Sequence, residues 1–318
     1  MTNLFSHVKW FVDSTTAEVE PVTNLEVALI LLVVVIAMGI ASLVDYLLNK
    51  KGFNKYFDKK LRVFAPWTAS VVRVTLGIIL IYASNHNYLF APNIELEASY
   101  YSNGLIWTQG ILGVGLILGL FTRVFALLTL VLYFGTLAVA PLADVVEHVE
   151  YIGLTVFLFL EGSGPLALDR FIKLGKPSDW KLRMWSLPVL RISVGMGLAI
   201  LAFSEKIFNL PLAQTFLSEH NWNFLSSLGV SDRTFILVAG TMELIFGLAL
   251  VFNLASRLVI TTILGLFITT AILLGVSEIF GHLFAVGVFM AIWINYDPSI
   301  ESKTKPSKVA KSKSLSKS

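Results

Sequence analysis

Apolar stretches long enough to cross a hydrocarbon core recur nine times along this chain, and that recurrence leaves few folds open. One crossing takes about 20 residues as a helix. Runs of that kind fall at roughly 26–48, 66–85, 104–121, 124–141, 144–161, 187–204, 234–252, 258–276 and 279–296. Some neighbouring runs are divided only by Thr122-Arg123 or Ser256-Arg257, which suits tight turns between antiparallel helices; Pro141 and Gly275 mark two further turns. A chain of 318 residues that is 56% hydrophobic and only 14% charged, with mean hydropathy +0.76, is no ordinary soluble globule. The first run reads as an anchor and not as a cleavable leader. It is too long, Glu18 and Glu20 precede it, and Asn49-Lys50-Lys51 stops it. The expected fold class is an all-α integral membrane protein with about nine transmembrane helices.

Polar residues inside these runs repeat. Subtracting 134 sets Glu243 on Gln109, Gly247 on Gly113, Arg257 on Arg123, Glu278 on Asp144, His282 on His148 and Gly287 on Gly153. Ionisable residues in lipid-facing sequence are costly, so their recurrence points to a duplication. The first helix of each copy also matches, Arg73 with Arg191 and Gly77 with Gly195, at an offset of 118. The 16-residue difference is a longer loop in the second copy, rich in Phe216, Trp222 and Phe224, and suited to lie at a membrane interface. The expected organisation is an N-terminal segment with one helix and a basic loop over 1–61, a four-helix unit over 62–172 and a basic linker over 173–186. A second four-helix unit over 187–297 and a Lys/Ser-rich disordered tail over 298–318 complete it. Both units start on the same side, so the repeats are parallel.

Lys and Arg set the expected orientation. They cluster after the first run (Lys50 to Arg62), after the fifth (Arg170 to Arg183) and in the tail, whereas the loops 87–103 and 209–232 contain none. By the positive-inside rule the N-terminus lies outside and the C-terminus in the cytoplasm of a prokaryotic cell, with the chain in its plasma membrane. The net charge of +3 then reflects topology and the basic tail, and it calls for no nucleic-acid partner. With no cysteine, thiolate metal sites, dithiol redox chemistry and disulfides are excluded.

The second unit resembles the DoxX/DoxD-like superfamily of small four-helix membrane proteins. The likeness rests on Leu190-Arg191-Ile192-Ser193-Val194-Gly195, opening a helix that ends in Glu205-Lys206. It rests also on Glu243-Leu244-Ile245-Phe246-Gly247-Leu248-Ala249-Leu250, followed by Ser256-Arg257. It covers 187–297 throughout; unit one shares only the skeleton, with Gln109 in place of the glutamate and Asn85-His86 in place of Glu-Lys. The resemblance implies a membrane subunit of a quinone oxidoreductase of the thiosulfate-oxidising kind, or a membrane partner in a redox-protective assembly.

Glu243 lies 14 residues before Arg257, hence about 21 Å along the helix from that end. Glu278 and His282 stand at i and i+4 at the opening of the last helix. Glu205, Lys206, Glu243, Glu278 and His282 are thus expected at similar depth near the outer leaflet. There they could bind a quinone headgroup or relay its protons. A plain structural pairing of Glu243 with Lys206 is the competing reading. In unit one, Asp144, Glu147, His148 and Tyr151 share a helix face, with His86 at the end of a neighbouring helix. Carboxylates around an imidazole are candidate metal ligands. No HExxH or ExxH spacing occurs, however, and acids at a helix N-terminus are ordinary dipole partners. Arg73, Arg123, Arg191 and Arg257 are expected to snorkel to lipid phosphates.

Three functions follow as expectations. The first is a membrane subunit of a quinone-linked oxidoreductase, needing a redox partner protein because no nucleotide fingerprint occurs. The others are a non-catalytic scaffold that docks through the aromatic loop, and a small-solute or proton-coupled transporter.

Overall fold

Every regular element is helical among the residues that the computed structural model describes. These are 19–94, 96, 100–172, 180–274 and 276–295, without the side chains of 100, 180, 220, 270, 271, 273, 274, 276–282 and 284. In order, the α-helices are α1 (Asn24–Lys50), α2 (Phe53–Leu61), α3 (Thr68–Asn85), α4 (Tyr100–Leu118) and α5 (Thr122–Gly135). There follow α6 (Leu142–Val146), α7 (Glu150–Glu161), α8 (Trp180–Arg183), α9 (Ser186–Leu201) and α10 (Leu210–His220). The last three are α11 (Asp232–Val251), α12 (Ser256–Leu274) and α13 (Val276–Ile294). Among the described residues four helical stretches, Asn24–Lys50, Ala65–Asn85, Lys181–Ile207 and Asp232–Val251, are long and apolar enough to cross a membrane, and shorter apolar helices accompany them. Large apolar side chains such as Leu29, Ile36, Trp107, Val131 and Ile268 cover the surface, as a lipid solvent requires. The expected unbroken helix over 144–161 is instead α6 and α7, interrupted at residues 147–149. That break turns Glu147 and His148 inward.

The packing repeats at the two sequence offsets. Helices α3, α4, α5, α7, α9, α11, α12 and α13 pack as a ring in chain order, and α13 returns to α3. The first and last helices of each unit meet the other unit more extensively than each other, and one apolar core draws on both units. Glycines set the closest approaches. A Cβ at Gly77 would lie 2.7 Å from the Gly113 carbonyl and 3.1 Å from the Ile117 nitrogen; at Gly195 it would lie 2.6 Å from the Gly247 carbonyl and 2.9 Å from the Val251 nitrogen. The sequence offsets carry the first crossing onto the second. Between units, Gly153 abuts Ser193 and Gly287 abuts Thr75, again equivalent pairs. Small residues that let backbones touch are the usual means of joining helices in lipid.

The tight turns match as well. Gly119 and Phe121 precede α5 with φ of 65° and 46°; Asn253 and Ala255 precede α12 with 57° and 46°. Each turn leaves helix N-terminal amides that need an acceptor. Asp169 accepts from the Phe121 and Thr122 amides at 2.6 and 2.9 Å, whereas Asp45 of α1 accepts from the Ala255 amide at 3.1 Å. One backbone requirement is met by two unrelated aspartates.

Three of the four arginines expected to reach lipid phosphates bond inside the protein. Arg73 is fully buried and donates to the carbonyls of Leu116, Ile117, Ser163 and Leu166 at the C-terminal ends of α4 and α7. Arg191 donates to Leu250 at 2.9 Å, the equivalent of Leu116. Arg257 is buried too, pairing with Asp58 of α2 and donating to the Asn54 and Trp293 carbonyls. Arg123, half-buried, lies against the Gly162 turn. Helix-end carbonyls are unsatisfied acceptors, and a guanidinium with five donors serves several at once.

Helix α1 stands outside the repeat but is bound to unit two at both ends. Thr23 and Glu26 form a capping box at its start, and Glu26 receives the Arg233 guanidinium of α11 at 2.6–2.7 Å. Ile30 and Val34 are its buried residues, packed with Ala202, Ile207 and Leu244.

A candidate proton-handling site at the end of helix α9

After Leu201 the backbone widens into a π-helix over Ala202–Ile207, and the Phe208 amide reaches back five residues to the Phe203 carbonyl at 2.9 Å. A π turn re-aims the side chains it carries; π turns are frequent at functional sites and also occur as ordinary helix C-termini, where this one stands. Gly240 of α11 admits this turn, because a Cβ there would sit 3.0 Å from Lys206 Cβ and 3.1 Å from Ile207 Cγ1. One helical turn further on, Glu243 Oε2 accepts from Lys206 Nζ at 2.8 Å. The pair is 21% and 24% exposed, so it lies on the flank of the bundle and not in its core. Glu205, one residue earlier, is 1% exposed and acts electrostatically on the same ammonium. The Ser204 hydroxyl of this turn is buried without a hydrogen-bond partner among the described residues. Phe203 and Phe208 stack with ring centres 5.3 Å apart. The structure therefore brings together Glu205, Lys206 and Glu243; the side chains of Glu278 and His282 lie outside the described residues.

The place in unit one at the same sequence offset is built differently. Gln109, the counterpart of Glu243, is fully buried; its Oε1 accepts from the Phe90 amide at 2.9 Å, and its Nε2 donates to the Tyr88 and Leu80 carbonyls at 3.1 and 3.3 Å. It fastens an inward-folded loop that buries Leu89, Phe90 and Ile94. Burial holds the Tyr88 phenol above its ordinary range, and nearby Tyr82 adds to the effect, so Tyr88 stays protonated.

Two of the proposed metal ligands, Glu147 and His148, form a hydrogen-bond network instead. Asn93 donates to Glu147 Oε2 at 3.2 Å and accepts from His148 Nε2 at 2.8 Å. The other ring nitrogen of His148 is 3.4 Å from Glu150 Oε1. His86 is exposed and stacks on Tyr82 at 4.0 Å, with Nδ1 2.8 Å from the Tyr82 carbonyl. Among the described residues no three His, Asp or Glu side chains are grouped to hold a metal ion. Asp144, Glu147, His148 and His86 are thus not assembled as ligands, because both His148 nitrogens are occupied and His86 is turned to its own helix.

Asn93, the centre of that network, carries no sequence signal beyond its place in an Ala-Pro-Asn turn. The π turn is equally hidden, although Gly240, one helical turn before Glu243, was a readable hint. No protein-family model, curated protein or solved structure matches the chain.

Proposed function

We propose that this chain is a membrane subunit of a quinone-linked oxidoreductase, and that Glu205, Lys206 and Glu243 form its proton-handling site. On this reading it crosses a prokaryotic plasma membrane nine times, with the N-terminus outside and the C-terminus in the cytoplasm. The two four-helix repeats are then DoxX/DoxD-like units, and the site lies towards the outer leaflet. The observation that carries the reading is the π turn. It holds a buried carboxylate, an orphaned hydroxyl and a partly accessible Lys206–Glu243 pair on an apolar wall. Ionisable groups in lipid are costly and are kept chiefly where they work. The residues fit a quinone headgroup: two hydrogen-bond donors for carbonyl oxygens, carboxylates to carry protons, and the stacked Phe203 and Phe208 beside them.

The quinone, when bound, supplies a two-electron, two-proton carrier, with electrons drawn from a redox partner protein. Lys206 Nζ and Ser204 Oγ would orient its carbonyl oxygens by donating hydrogen bonds. Glu243 and Glu205 would relay protons between the aqueous side and those oxygens through the Lys206 ammonium that Glu243 holds. Helix α1 covers the turn through Ile30 and Val34 and limits water there.

Titrating short-chain quinone into the full-length protein in lipid nanodiscs tests this directly. Glu243→Gln and Lys206→Met are expected to weaken binding at least about tenfold, the value of one charged hydrogen bond. Glu219→Gln, remote from the site, should leave it unchanged. Equal affinity in all variants would remove the quinone site. A scaffold reading draws on Phe208, Phe224 and Leu228, which are 68–77% exposed on the segment between α9 and α11. It requires Glu243→Gln to be silent in the cell while deletion of 209–230 is not. A transporter reading has no broken mid-helix site among the described residues to draw on beyond this π turn.

A further inference from the structure

The corner where α2 leads into α3 combines two features that no function above uses. Helix α2 is amphipathic: Phe57 packs on Trp293 with ring centres 5.6 Å apart, and Asp58 pairs with Arg257. Its outer surface carries Lys55, Lys59 and Lys60, followed by Arg62, all exposed. Its single acid, Asp58, is consumed by Arg257, and no carboxylate pairs with those four cations among the described residues. Immediately after this basic stretch the chain turns apolar, with Val63, Phe64 and Trp67 between 45% and 67% exposed. Phe64 and Trp67 form one wall of a groove of about 110 Å³; Thr68 and Val71 of α3 and Met290, Ala291 and Ile294 of α13 form the rest. The walls are tied at their base, where Asn295 donates to Thr68 at 3.2 Å.

Cations beside an open apolar slot, at the boundary between basic loop and membrane helix, are complementary to one amphiphile. We propose that this corner binds a single anionic phospholipid, its phosphate on Lys59, Lys60 and Arg62 and an acyl chain lying in the groove between Trp67 and Met290. Basic clusters next to membrane helices attract anionic headgroups in this way. The groove turns a general attraction into a site, because it holds one chain in place through apolar contact. The inference needs only that the chain is embedded in a membrane, and it is independent of the quinone reading.

Native mass spectrometry of the full-length protein in mild detergent reads the site, with phosphatidylglycerol, phosphatidylcholine of the same chains, and inorganic phosphate as probes. One phosphatidylglycerol should be retained at least about tenfold over phosphatidylcholine, since several surface cations contribute. The triple variant Lys59→Ala, Lys60→Ala, Arg62→Ala should lose that preference. Met290→Trp, at a residue 44% exposed, should fill the groove and cut retention of the lipid while leaving the headgroup preference. Equal retention of the two lipids, an unchanged triple variant, or retention unaffected by Met290→Trp would each overturn the proposal. Displacement of the lipid by inorganic phosphate would assign the cations to a free anion and also overturn it. Should the triple variant fail to fold, Lys59→Gln alone is read with the same lipids, and Glu243→Gln should not change lipid retention.

Discussion

Replacing Gly195 with alanine asks whether the equivalent glycine crossings hold the ring together. The new methyl would lie 2.6 Å from the Gly247 carbonyl oxygen, 2.9 Å from the Val251 nitrogen and 3.0 Å from Val251 Cγ2. Carbon and oxygen reach ordinary contact near 3.5 Å, so α9 and α11 must part by roughly 0.9 Å over the crossing. Overpacking of this kind costs about 1–3 kcal/mol, and the better helix propensity of alanine returns up to about 1 kcal/mol. The net loss is about 1–2 kcal/mol, a drop of several degrees in the melting temperature of a protein this size. Thermal unfolding in detergent, followed by helical circular dichroism and by recovery of monodisperse protein, measures it. Gly265→Ala is the control, because nothing lies within 4 Å of its added methyl. Gly247→Ala should match Gly195→Ala, and the double variant should cost less than the two singles together, since one separation relieves both clashes. A Gly195→Ala protein that melts with or above Gly265→Ala would refute the reasoning.

Two further outcomes follow from the packing. Arg73→Met strands the carbonyls of Leu116, Ile117, Ser163 and Leu166. Unsatisfied buried groups cost about 1–3 kcal/mol each, so the yield of monodisperse protein should collapse, whereas Arg191→Met should lose only a few degrees. Gly153→Ala sets a methyl 2.8 Å from Ser193 Cβ across the joint between units. It should lower the melting temperature, and Ser193→Gly in the same chain should restore most of the loss; without rescue, that joint is not where the strain lies.

The helix crossings were legible because small residues recur at two fixed offsets. The offsets 118 and 134 read from Gly77, Gly113, Gly195 and Gly247 are the offsets at which the helices cross. What stayed hidden depends on partners distant in the chain. Arg257 and Asp58 are 199 residues apart and Asp45 and Ala255 are 210 apart, so neither pairing leaves a local pattern. Arg73 looked like a residue bound for lipid phosphate because carbonyl acceptors at helix ends are invisible in sequence. At the candidate site, the pairing of Glu243 with Lys206 that the structure shows is the contact the competing structural reading expects. The π turn that separates buried Glu205 from accessible Lys206 was not legible, since Ala-Phe-Ser-Glu-Lys-Ile has no residue that demands it. His148 and Glu147 read as ligands by composition, and Asn93, on a separate loop, is what commits them to each other.

Mass spectrometry of the proteins and small molecules that co-purify with the tagged chain from its native membranes tests the proposed role most directly. The account predicts a stoichiometric redox protein together with bound quinone, the quinone being lost from the Glu243→Gln variant. A chain that purifies with neither, or that keeps its quinone undiminished in Glu243→Gln, would contradict it.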